Sequence, residues 1–594
     1  MEHTLTKRWD LDSIYPGGKH SDKLHQHFNE LESEIPVLID QMHWPLPTKE
    51  IEQLLQKVQH IILKAFQIDE YCICLSSQDT HDQESMKLTE RSTKLQTKVK
   101  KLKAELDGLF SKLNKEEWHQ LLECDSLQSV KPYLLQKKQS KKLPQSIENA
   151  INTLSINGIH GWEDHFEQLL YKLEVPLSEG DETKNLSLYE AFIQSHFDQN
   201  RDKRESASKA IREVFEQQKD TFASIFNHFA GFRLDTYALK GYEKTQAEFY
   251  EKNRIGEEAI TSMMNALREH NEKEQRFLQR KAELMGLEKL SYYDIDVPYF
   301  SSKASIDYEQ AAEIVKKQFH LFSEDMGRFA ERAFDEQWID SEKRKTKNFG
   351  AFCATMPLED QSRILLSFNG DYQDVVTLAH ELGHAYHNSI LQKEEAFSQE
   401  TGSALAESAS TFAENLVLDA AIQHAEKVKD QLSLLEMKIT NGNKYISNIP
   451  YTFDFEKQFY EKRKLNKLSA DELSDLMVET EKRWTNHALA EYNPYNWMTI
   501  SHYYSPEKPF YTLSYTVGYL FSNGIYVQSK QESEGFSDEY VELLRHTGKM
   551  SIEELGATFL NEDLTKSEFW KQSLQPINDA IDQFIELTDK YVKE

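Results

Sequence analysis

Cysteine is scarce in this chain. The four present, Cys72, Cys74, Cys124 and Cys353, are too few and too irregularly spaced for a disulfide framework. Cys72 and Cys74, one residue apart, leave a helix on different sides, so all four read as reduced thiols of a cytoplasmic protein. Long apolar runs are missing as well. No stretch approaches the roughly 20 residues that cross a bilayer, and no apolar segment follows the basic residues near the start, so neither a membrane span nor a secretory leader is expected. Basic residues fall short of acidic ones, 70 against 99, and the resulting charge of −29 repels nucleic-acid phosphate and anionic membranes. The densest lysine patch, Lys98, Lys100, Lys101 and Lys103, is read as a solvated helix face rather than a nucleic-acid site.

What remains is an ordinary globular composition on a chain of 594 residues, long enough for two to four domain-sized units. The pattern is mainly helical. Leu88, Leu95, Val99, Leu102, Leu106 and Leu109 recur at spacings of seven, four, three, four and three, tracing a seam for packing against another helix. The polar stretch Leu177–Lys184 reads as a loop, and we expect a domain boundary shortly after it, giving units 1–195 and 196–594. Only one region reads as extended: the runs Asn348–Met356 and Ser362–Phe368, joined by Pro357–Gln361, predict a β-hairpin or two neighbouring strands.

Shortly after that hairpin, His380-Glu381-Leu382-Gly383-His384 spells HExxH. Two histidines four apart share a helix face and can hold one zinc ion, which lowers the pKa of bound water. The carboxylate of Glu381 beside it can take a proton and pass it to a leaving amine. Such a pattern arises by accident in hydrophilic chains, but Val375, Val376, Leu378, Ala379 and Leu382 predict an interior helix whose buried polar groups need partners. A hydrolytic zinc site has three protein ligands and a place for water. Position 390 is Ile, which excludes the metzincin third histidine. His387 can share the face, as a ligand or as a pocket wall. Glu407, among the small residues Gly402–Ala406 and Ser408–Ser410, sits where two helices can approach closely enough to share an ion. Glu414, two turns further, can accept a hydrogen bond from the outer nitrogen of a ligating histidine, and Asp374 is placed beside it as a second supporting carboxylate.

Zinc peptidases commonly bind substrate as an added strand, so the edge Gly350-Ala351-Phe352-Cys353 is expected to receive the peptide backbone, the alternative being an ordinary buried hairpin that supports the metal helix. Further on, His502, Tyr503, Tyr504, Tyr511, Tyr515 and Tyr519 supply phenol and imidazole donors of the kind that stabilise an oxyanion opposite the metal.

The HExxH pentapeptide, the run Ala406–Thr411 and the opening Arg8–Pro16 together resemble the M3 family of zinc peptidases, in particular the oligoendopeptidase F branch. The similarity extends to Pz-peptidase and, more distantly, to thimet oligopeptidase. This resemblance implies two helical lobes around a deep substrate channel, with a small β-sheet beside the zinc helix. It implies one Zn2+ per chain held by His380, His384 and Glu407, with Glu381 as base. His502, Tyr511, Tyr515 and Tyr519 match the family's late loop and helix, with Tyr515 first, Tyr519 second and Tyr511 third as oxyanion donors. His387, Tyr504 and Tyr511 are expected to line the substrate site. The substrates implied are peptides of roughly five to twenty residues.

Overall fold

The computed structural model describes residues 5–139, 143–179, 182–301, 305–531 and 535–593. It is mainly α, as expected, and its apolar interior divides into two cores. The smaller is built by α1 (Asp22–Asp40), α2 (Thr48–Gln78) and α3 (Gln83–Phe110). The leucine seam of α3 is buried along its whole length, against α1 and α2. The larger core gathers residues from Ile159 to Phe584.

Leu177–Lys184 departs from the expected loop. It belongs to an antiparallel hairpin of β1 (Glu174–Glu179) and β2 (Glu182–Ser187), whose tip lies outside the described residues. Alternate side chains Val175, Leu177 and Leu186 are buried while their neighbours face water. Three apolar residues are enough to fix a hairpin that packs on α4 (Arg201–Lys240), although they scarcely register in a polar run.

The predicted extended region forms a three-stranded sheet of β3 (Ile339–Asp340), β4 (Phe352–Met356) and β5 (Gln361–Leu365), in the order β3-β5-β4. β4 pairs antiparallel with β5 and β3 pairs parallel with it, a third strand too short to read from sequence. Ala354, Met356 and Leu365 enter the smaller core, whereas Ile364 and Leu366 enter the larger, so this sheet is the seam between the lobes.

Against it lies α5 (Tyr372–Leu391), the HExxH helix. Asp371 caps its start, accepting from the Asp374 amide. Val375, Leu378, Ala379 and Leu382 are fully buried. The helix α6 (Ser408–His424) crosses α5 at very close range: a Cβ on Gly383 would stand 2.6 Å from the Ala409 carbonyl oxygen. Next come α7 (Val428–Asn443), one π-helical turn at Lys444–Asn448, and, later, α8 (Thr512–Gln531). Gly518 lets α8 close on the same place, since a Cβ there would meet the Ala404 carbonyl oxygen at 2.4 Å. Both contacts are backbone against backbone, and they explain why small residues cluster here.

Candidate metal centre

The two glycine contacts draw α5, α6 and α8 around three donor atoms. His380 Nε2 and His384 Nε2 lie 3.1 Å apart, and Oε2 of Glu407 is 3.6 Å from the first and 3.5 Å from the second. Zinc bonds of about 2.0–2.2 Å in tetrahedral directions require donors roughly 3.3 Å apart, so this triangle fits such an ion. Among the described residues it is the one group of three or more His, Cys, Asp and Glu side chains spaced for a metal.

The rings are oriented from behind. Glu414 Oε1 lies 2.5 Å from His380 Nδ1, and because an ionised carboxylate only accepts, that nitrogen carries the proton. His384 is held by a hydrogen bond to the Ala406 backbone. Both Nε2 atoms are therefore directed at Glu407.

The electrostatics favour positive charge at this point. Burial opposes charge on His380, but the Glu414 hydrogen bond and the carboxylates of Glu414, Glu381 and Glu407 outweigh it, and the imidazole is pushed up to about 9. His384, withdrawn from water and facing His380, is held well below the usual histidine range. Glu381, 5% exposed, is pushed up to about 7 by burial, with His380 pulling the other way and Glu407 and Glu414 adding to the rise. The field that draws a proton onto His380 is also the field a divalent cation satisfies. About a fifth of each ligand side chain remains exposed, 22% for both histidines and 23% for Glu407, so a small molecule can reach the metal position.

The other expected residues fall into two groups. β4 is an edge strand, and Cys353 on it faces α5: Asn388 Nδ2 is 3.8 Å from its sulfur, and burial with the charge of Glu381 raises the thiol well above its ordinary value. Gly350, Ala351 and Phe352 precede it, with open space around the Gly350 α-carbon. His502, Tyr511 and Tyr515 form one aromatic group, with ring centroids 5.2–5.9 Å apart. Lys508 lies 4.4 Å over the Tyr511 ring. Burial and then Lys508 lower the His502 pKa. Burial and then Tyr511 raise the Tyr515 hydroxyl well above the ordinary tyrosine range, and the Glu407 charge adds to the rise.

Four expectations are not met by the geometry. Asp374 does not stand behind the ligands: its carboxylate accepts the backbone amides of Asn369, Gly370 and Asp371, closing the helix N-terminus about 9 Å along the axis from His380. His387 is 3% exposed and its Nε2 bonds Thr547 Oγ1 at 2.8 Å. Spacing puts it on the ligand face, but two turns on, where helix Phe536–His546 covers α5. Tyr504 is 1% exposed, stacked on Phe166 at 3.7 Å in an aromatic core with Phe226 and Phe229. Tyr519 is buried too, its hydroxyl lying close against Gly442.

Tyr519 instead leads to a residue that the sequence does not single out. Its ring stacks at 4.7 Å on Tyr445, which sits on the π-helical turn and has Glu414 and Glu407 as its leading charged neighbours. Thr516 Oγ1 of α8 donates to the Tyr445 carbonyl at 2.6 Å, fixing that turn against the helix. The signal in the sequence is weak: π turns gather at functional sites, but nothing in the run Lys444–Asn448 announces one.

Two imidazoles and one carboxylate around a reachable point, with a buried acid alongside, are the arrangement of a hydrolytic metal site rather than a closed structural one. The chain belongs to Peptidase family M3, whose profile matches residues 196–575, and it is a metallopeptidase of that family. It is 22% identical over 569 residues to an oligoendopeptidase F homolog of Lactococcus lactis, covering 92% of this chain and 91% of that one. Its fold matches a protein of Chlamydophila abortus with a TM-score of 0.86, 18% identity and 98% of both chains covered. It also matches the oligoendopeptidase-F of Enterococcus faecium with a TM-score of 0.69, 17% identity, and 96% and 98% covered. Among the described residues no helix is long and apolar enough to cross a membrane.

Proposed function

We propose that this protein is a zinc-dependent endopeptidase of short oligopeptides, with one ion held by His380, His384 and Glu407 and with Glu381 as general base. The observation that carries this reading is the triangle of donor atoms at 3.1–3.6 Å, with the Glu381 helix lying against the edge strand β4. When bound, the cation supplies a Lewis acid for the scissile carbonyl and lowers the pKa of the attacking water. The rest falls to the chain's own groups. Glu381 takes a proton from the water and returns it to the departing amine. Glu414 and the Ala406 carbonyl keep the two imidazoles oriented throughout. Tyr515 is our choice of oxyanion donor, since its ring is partly exposed and within range of the Glu407 charge, whereas Tyr519 is buried and stacked on Tyr445. His502 and Tyr511 hold its ring in place by edge and face contacts.

The peptide is read as an extra strand on Ala351–Cys353, running between the lobes along the α5 face that bears Gln373, Thr377, His380 and His384. A groove of about 870 Å³ touching Gln373, Asn441 and Lys444 continues that face toward the helix start. A channel between lobes excludes folded proteins by size, so the substrates are peptides of roughly five to twenty residues. We assign residues 196–594 as the catalytic unit and the cytoplasm as its location, in keeping with four cysteines that form no disulfide. Chelation tests the proposal: hydrolysis of a mixed peptide library should stop with chelator and return with zinc, and hydrolysis indifferent to both would refute it.

A further inference from the structure

The open edge of β4 is short, and one helix closes it at both ends. Ile364 and Leu366 donate their amides to Trp338 and Asp340 on the β3 side, so Arg363 and Leu365 are the β5 residues that face β4. Their partners Ala354 and Phe352 turn inward. Ala351, Cys353 and Thr355 therefore turn their backbone groups outward. The outward amide of Thr355 is already taken, by Glu70 Oε2 of α2 at 3.1 Å. One turn earlier on α2, Gln67 accepts the Leu358 amide at 2.8 Å. At the other end the Ser77 carbonyl accepts the Asn348 amide, also at 2.8 Å. Between these closures, the outward groups of Ala351 and Cys353 have no partner among the described residues.

We propose that Glu70 is the end stop of the substrate strand: by occupying the Thr355 amide it confines main-chain pairing to Ala351 and Cys353 and so limits peptide length on one side of the cut. This rests on the peptidase reading given above. Cys353 is the edge residue whose side chain turns to the HExxH helix, meeting Asn388 there and within range of the Glu381 charge, and Thr355 is two residues on, about 7 Å along the strand. A peptide extending toward Thr355 thus has ladder partners for about two residues beyond the reacting carbonyl, and there it meets a carboxylate in the place where its own carbonyl oxygen would accept. Residues further out gain no backbone bonds. The limit comes from a helix of the smaller core, outside the M3-matched segment, which gives that lobe a part in specificity.

The test uses the full chain and a ladder of peptides with one fixed cleavable core, lengthened one residue at a time at either end. In the wild-type protein kcat/KM should stop rising at one end after about two residues. Glu70→Ala frees the Thr355 amide and should raise kcat/KM for peptides longer at that end by about threefold to tenfold, the range of one added backbone hydrogen bond. Glu70→Gln still presents an acceptor oxygen and should keep the wild-type length profile. Glu70→Asp withdraws the carboxylate by one methylene and should follow Glu70→Ala, which covers the case of an unfolded alanine variant. Coincident profiles for all variants, with the wild-type protein active, would overturn the end stop and leave the peptidase reading intact. A wild-type protein that cleaves no peptide overturns both.

Discussion

His380 and Glu414 are joined across two helices, with Nδ1 and Oε1 2.5 Å apart although the residues stand 34 positions apart in the chain. A carboxylate in that position fixes the tautomer, so that Nε2 presents its lone pair to the metal, and it strengthens the imidazole as a donor. Glu414→Gln keeps the shape, and its amide can still accept through the carbonyl oxygen, but it loses the charge. Zinc affinity should fall about tenfold to a hundredfold. Competition against a chelator of known affinity measures this directly, and the unfolding temperature of the metal-free protein should change little.

Tyr515 and Tyr519 separate by their surroundings. Removing the hydroxyl of an oxyanion donor costs about 10²–10³ in kcat. Tyr515→Phe should show such a loss with KM little altered. Tyr519→Phe should lower kcat far less and be felt mainly in stability, since that side chain is buried and stacked on Tyr445. Steady-state kinetics on one peptide with both variants decides between them.

A pH effect on stability is expected far from the metal. Glu481, in the helix Ala470–Trp484, is 5% exposed, and one of its oxygens has no partner among the described residues. Burial pushes its carboxyl up to about 8, with the Asn493 backbone partly opposing. A folded-state pKa above the unfolded one means that the folded chain holds the proton more tightly. The associated stability is fully present below about 4.5 and is lost as pH rises toward 8. Each tenfold tightening of proton binding is worth at most roughly 1.4 kcal/mol. Glu481→Gln mimics the neutral form, so thermal unfolding at pH 9 and pH 5 should show it gaining relative to wild type at the higher pH.

How far the sequence reveals this architecture depends on how local each feature is. The HExxH pair was legible because four residues on one helix fix two donors at once. Glu407 was legible because the glycine and alanine contacts that admit it leave a compositional trace. Tyr445 was not, because its place depends on a π turn and on α8 arriving from seventy residues further along. His387 shows the limit of angular reasoning: it lies on the ligand face of α5, but the helix Phe536–His546 covers that end, and axial position decides. Tyr504 departs from the expected place for a related reason. A run rich in tyrosine gives no sign of which ring stacks into the core, and here Phe166 claims it. The β1–β2 hairpin escaped because alternate burial of three side chains is a faint signal in a polar segment.

The central claim is that Glu381 moves the proton in a metal-assisted hydrolysis, and the metal-replete Glu381→Gln variant tests it most directly. Zinc content by elemental analysis and turnover of a short peptide are to be measured on the same sample. We predict zinc at the wild-type ratio of one per chain together with a fall in kcat of about 10²–10⁴, the usual contribution of a general base. Near-normal turnover by a fully zinc-loaded Glu381→Gln protein would contradict the account.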